Sequence, residues 1–197
     1  MAKNPVLTGN NQQPLPLELS MSDNALVSFG RPVGPGTLSF LDVGFMPVNE
    51  LTIGGDLQHL KGKLDGLFIR YSGEGVQSFA ASGEPTTAKY TSLHYELMGY
   101  KGDATFGRVA DGTPTVSGAK HLTVLAQGDL INGYLGFGAD GGITGKVNTS
   151  MQIDGQAVGT LNISVQHASG DIVRTATGGL TLDGGTLQAT FVPLSLG

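Results

Sequence analysis

The chain of 197 residues contains no cysteine and no tryptophan. Without thiols it can form neither disulfides nor zinc–thiolate sites, offers no thiol nucleophile, and presents no cysteine for a lipid anchor. Charge is also scarce. Only 14% of the residues are charged, with 11 Lys and Arg against 16 Asp and Glu for a net charge of −5. Nucleic-acid backbones are held by clustered basic residues, and this sequence has no such cluster, which argues against nucleic acid as a partner. Nor does it carry a polybasic patch for anionic membranes. No apolar run approaches the roughly 20 residues needed to cross a bilayer as a helix, so a spanning helix is not expected. Met1-Ala-Lys-Asn opens no signal-peptide core. Either the protein stays inside the cell or its leader has been removed, and with little Lys and Glu and much Gly, Thr, Ser and Asn the composition favours the second, a secreted or cell-surface protein.

What is abundant is glycine, with 32 residues, in a chain of ordinary 39% hydrophobic content. That suits a turn-rich β protein with a real core better than a helical enzyme. Strand side chains point alternately to two faces, so strict alternation marks a half-buried strand. Leu161-Asn162-Ile163-Ser164-Val165-Gln166-His167 alternates in this way, as do the stretches around Ile143 to Ile153 and Leu187 to Phe191. Asp140-Gly141-Gly142, Asp154-Gly155 and Asp183-Gly184-Gly185 separate them, and Asp-Gly tolerates the positive φ of tight hairpin turns.

Residues 1–14 read as a flexible lead-in. Short strands are expected at Leu15 to Met21, Ala25 to Phe29, Thr37 to Val43 and Leu67 to Tyr71, with turns at Asp23-Asn24, across Gly30 to Gly36, and at Gly73-Glu74-Gly75. A helical turn is expected around Asp56 to Lys61. Ser82-Gly83-Glu84-Pro85 is read as the boundary between an N-terminal β region, residues 15–85, and a C-terminal unit, residues 86–197. Eight strands are expected in the latter, at 89–98, 101–108, 121–127, 130–138, 142–153, 158–168, 171–182 and 185–192. Sequential hairpins with one apolar face close most simply as an eight-stranded antiparallel up-and-down barrel, just filled by side chains or holding one small ligand. A change of apolar phase at Gly99 predicts a bulge there.

The stretch Gly99-Tyr100-Lys101-Gly102-Asp103-Ala104-Thr105-Phe106-Gly107 resembles the opening strand of the C-terminal barrel in the transferrin-binding-protein-B-like family of Gram-negative bacteria. The likeness covers residues 89–197. The chain departs from that pattern at its end, Thr190-Phe191-Val192-Pro193, where family barrels often carry a Gly-rich aromatic run. With no N-terminal cysteine, the resemblance implies the freely secreted, hemophilin-like branch. There the N-terminal region grips heme, taken free or from a host heme protein, and the barrel serves export through an outer-membrane translocon before delivery to a receptor.

Four histidines are the candidate iron ligands. His59 lies among Leu57 and Leu60, a polar donor with apolar neighbours that suits a porphyrin face, and is the first choice; its plainer reading is a surface histidine. His94 is the second, sharing a strand face with Glu96 that is more simply a wet face. His121 reads as a solvated strand end and His167 as a rim histidine. Tyr71, Tyr90, Tyr95, Tyr100 and Tyr134 read as packing rather than ligands. Gly136-Phe137-Gly138-Ala139-Asp140-Gly141 matches GxGxxG by letter, but a strand follows where a nucleotide loop needs a helix. No GxSxG, HExxH, Walker A or EF-hand pattern occurs, so binding rather than catalysis is expected. The leading expectation is a hemophore-like heme binder. The alternatives are a cofactor-free protein that binds a host protein, and a calycin-like barrel that encloses a lipid or acts as a cyclase.

Overall fold

A computed structural model describes residues 17–53, 56–57 and 63–194. In chain order its strands are β1 (Leu17–Gly34), β2 (Thr37–Ile53), β3 (Asp56–Leu57), β4 (Gly66–Phe79), β5 (Pro85–Lys101), β6 (Thr105–Arg108), β7 (Pro114–Ser117), β8 (Lys120–Phe137), β9 (Ile143–Ile153), β10 (Gln156–His167), β11 (Ile172–Arg174) and β12 (Leu180–Pro193). One 3-10 turn, Ser169–Asp171, precedes β11. β1, β2, β4, β5, β8, β9, β10 and β12 pair antiparallel in sequence order, and β1 also pairs with β12. The sheet is therefore closed, an eight-stranded up-and-down barrel with no free edge among its staves.

The expected architecture is present, but other strands build it. Only five staves come from residues 86–197; β1, β2 and β4 supply the other three, so the barrel is not confined to the C-terminal part. The reason is visible along β1. Leu17, Leu19, Met21, Asp23 and Ala25 all face inward, across the expected Asp23-Asn24 turn, where the chain makes only a register shift. Gly73 and Gly75 likewise lie inside β4 rather than in a turn: a Cβ at Gly75 would meet the Phe40 ring at 2.4 Å, so the missing side chain makes room for an aromatic core residue. Lys120–Phe137 is one strand where two were expected. Thr105–Arg108 leaves the wall after Gly102, whose φ is +87°, and pairs with Pro114–Ser117 as a separate hairpin. The bulge expected near Gly99 is present as register shifts on either side of it. Asp154 and Gly155 form the expected tight turn with φ of 51° and 78°. Asp183-Gly184-Gly185, by contrast, stays within β12. The helical turn expected at Asp56 to Lys61 begins instead as the short strand β3, and most of it lies outside the described residues.

The interior is filled by Leu19, Met21, Ile69, Tyr95, Leu97, Met151, Leu161 and Leu187, all nearly inaccessible, while Thr, Ser, Asn and Lys dominate the outside of β9 and β10. An apolar inside with a polar outside is the reverse of a membrane-spanning barrel. Among the described residues no helix is long and apolar enough to cross a membrane.

The β6–β7 hairpin lies against the outer wall as a strap. Phe106 packs on Phe68 and Phe45, with ring centroids 5.5 and 6.3 Å away. Arg108 fastens the far end, donating from Nη1 to the Gly112 carbonyl at 2.8 Å and from Nη2 to the Leu182 carbonyl and Asp183 Oδ1, both at 2.8 Å. Arg108→Ala strands the two part-buried carbonyls of Gly112 and Leu182 at about 1–3 kcal/mol. Limited proteolysis should then cut within 105–117 while the barrel core stays intact; unchanged resistance would show that Phe106 and the Asn24 Nδ2–Gly107 carbonyl hydrogen bond hold the strap without Arg108.

Candidate functional site

Period-two alternation puts two acids on the inner face of the barrel. Asp42 points inward with Phe40 and Met46 from β2, and Asp23 points inward with Met21 from β1; their relative exposures are 3% and 6%. Tyr71 from β4 bridges them, its hydroxyl 3.2 Å from Asp23 Oδ1 and 3.3 Å from Asp42 Oδ1. Tyr90 from β5 donates to Asp42 Oδ2 at 2.5 Å. His167, at the end of β10, brings Nε2 to 3.2 Å from Asp23 Oδ2. Gly185 permits this approach, since a Cβ there would come within 2.6 Å of His167 Nδ1 and its φ of +72° suits glycine. The expected turn at Asp183 to Gly185 is thus a kink in β12 that accommodates a buried ring.

Five polar side chains from five strands meet in an interior that is mostly apolar. They border an enclosed cavity of about 30 Å³ whose remaining wall includes Ile69, Leu93, Leu135, Val147, Ile163 and Leu187. That is room for about two water-sized groups. Burial pushes the Asp42 carboxyl up to about 7, and the neighbouring Asp23 adds to the rise, against smaller opposing effects of the Tyr90 and Tyr71 hydrogen bonds. Burial also holds the Tyr71 and Tyr90 phenols well above their ordinary value, with the two Asp residues reinforcing it. Both phenols are therefore donors at neutral pH. His167 Nδ1 has no hydrogen-bond partner among the described residues; its nearest acid is Asp171, 3.9 Å away.

The outer wall carries a second, more open hollow of about 290 Å³ under the strap, lined by Val43, Phe45, Arg70, His94, Glu96 and Pro114 among others. His94 stands here, exposed, with Nδ1 2.8 Å from Asp129 Oδ1. Arg70 Nε donates to Glu96 at 2.8 Å. The chain matches no protein-family model, and no curated protein or solved structure proved similar to it.

His59 and Leu60 lie outside the described residues, and Leu57 is described only as backbone of β3. Of the expected site residues, the structure therefore describes the side chain of His94 alone. His167 is deeper than a rim position, fully enclosed and paired with Asp23. His121 is an exposed strand end with φ of 50°, as expected. Tyr71 and Tyr90, read as packing, are hydrogen-bonding members of the interior cluster. Among the described residues no group of three or more His, Asp or Glu is placed to hold a metal ion. The signal for the inner site is present in the sequence: Asp23 and Asp42 each fall on the apolar phase of their strand.

Proposed function

We propose that the protein is a calycin-like small-molecule carrier whose ligand sits inside the barrel against Asp23, Asp42, Tyr71, Tyr90 and His167. The observation that carries this reading is the convergence of five polar groups on a cavity in an apolar core. Buried acids stabilise a fold poorly compared with apolar residues of the same size, whereas a concave apolar site with a few convergent polar groups is the usual form of a ligand pocket. The ligand is a compact molecule of a few heavy atoms with one polar head. Met46, an unbranched side chain on the cavity wall, can yield to it. Denaturing the purified protein and extracting it for mass spectrometry should release about one small molecule per chain. Ile163→Phe, which fills the cavity, should carry none while keeping its β circular dichroism. Equal release from both proteins would place the ligand elsewhere.

A second reading, heme capture, is favoured by one arrangement. A carboxylate that holds one imidazole nitrogen leaves the other to a metal, and His94 is held in this way by Asp129, with Phe45, Val43 and Pro114 offering apolar contact and Arg70 a partner for propionates. Heme would then lie on the outer wall, since a porphyrin far exceeds the inner cavity of about 30 Å³. The export translocon and receptor belong to this reading. A hemin titration should give a saturable Soret shift lost in His94→Ala; a shift unchanged by that substitution would remove His94 as the ligand.

A further inference from the structure

The chemistry of the inner cluster selects the ligand's head group. Four carboxylate oxygens and two phenol oxygens face the two phenol hydrogens of Tyr71 and Tyr90, at most one N–H from His167 Nε2, and the single proton on Asp42. Acceptors outnumber donors, and among the described residues no Lys or Arg lines the cavity. An anionic head would meet two carboxyl groups and neither a Lys nor an Arg. We propose that the barrel binds a small alkylammonium cation, and that this cation takes the place of a proton held on Asp42; the inference rests on an interior ligand site. A primary ammonium supplies the three N–H donors that the cluster lacks, and a head of this size matches the cavity of about 30 Å³.

The exchange conserves buried charge. Before binding, Asp42 carries a proton. On binding, the ammonium enters with its charge and one proton leaves Asp42 for solvent, so the net charge inside is the same before and after. No covalent bond other than the Asp42 O–H is broken. The groups facing Asp42 are Asp23 from β1, Tyr71 from β4, Tyr90 from β5 and His167 from β10, while the parts of β8, β9 and β12 on the cavity wall present Leu135, Ile143, Val147, Leu182 and Leu187.

Calorimetric titration of the intact protein with n-propylammonium, n-propanol and propionate, in buffers of different ionisation enthalpy, tests this. The expected result is binding of propylammonium alone, with close to one proton released at pH 5.5 and affinity rising about tenfold per pH unit below pH 7. Asp42→Asn should bind with no proton release. Propanol binding as tightly as propylammonium, or propylammonium binding without proton release in the unaltered protein, would overturn the cation proposal and leave an interior site standing. Failure of all three probes to bind, with no molecule extracted on denaturation, would overturn both.

Discussion

Asp42→Asn is expected to make the protein more stable than the original at pH 8 and about equal to it near pH 4. In the folded chain the Asp42 carboxyl is raised from 3.8 to about 7, chiefly by burial. Between these values the native state holds a proton that the unfolded state has released, so stability falls as pH rises through the window. Above pH 7 the full cost is present. A difference of about three pH units corresponds to ~4 kcal/mol at 1.36 kcal/mol per unit. Asparagine is neutral at every pH, keeps an acceptor for Tyr90, and escapes that cost. Urea unfolding at pH 4, 6 and 8 should show the gap between the two proteins opening with pH. A constant gap would mean that Asp42 ionises as freely in the fold as outside it, and the ligand argument would lose its proton.

Gly128→Ala is expected to be among the most damaging single-methyl additions in the chain. A Cβ at Gly128 would stand 1.8 Å from the Ser150 carbonyl oxygen and 2.7 Å from Tyr95 Cε1. The Ser150 carbonyl is also the acceptor for the Tyr95 hydroxyl at 3.1 Å, so neither neighbour can yield without breaking the β5–β8–β9 contact. Overpacking of this kind costs about 3 kcal/mol. Gly170, where a Cβ would meet nothing within 4 Å, is the matched control and should tolerate Ala with little change. Equal urea midpoints for the two variants would show that β8 can shift on β9, and would weaken the description of the wall at that point.

Gly128 also explains part of what the sequence does and does not disclose. Alternation in β9, β10 and the end of β12 is strong because one face is buried and the other wet, and these strands are legible from the sequence alone. Around Gly128 and Asp129 the alternation lapses, so that one continuous strand reads as two. At Asp23-Asn24 and Gly73-Glu74-Gly75, residues typical of turns lie within strands because Asp23 turns into the core and the glycines sit beneath aromatic rings. Thr105 to Arg108 has strand composition yet only four residues, roughly 14 Å of chain, too short for a wall built of strands of 11 or more. The inner site is half legible. Parity alone places Asp23 and Asp42 among core residues, but the partnership with Tyr71, Tyr90 and His167 depends on barrel closure across strands far apart in sequence.

The most direct test of an interior site is methyl-resolved NMR of protein labelled at Ile, Leu and Val, titrated in turn with n-propylammonium and n-propanol. The account predicts saturable shifts at Ile163, Val147 and Leu187, which line the cavity, under at least one probe. Shifts confined to Val43 in the outer hollow, or no saturable shift under either probe, would contradict it.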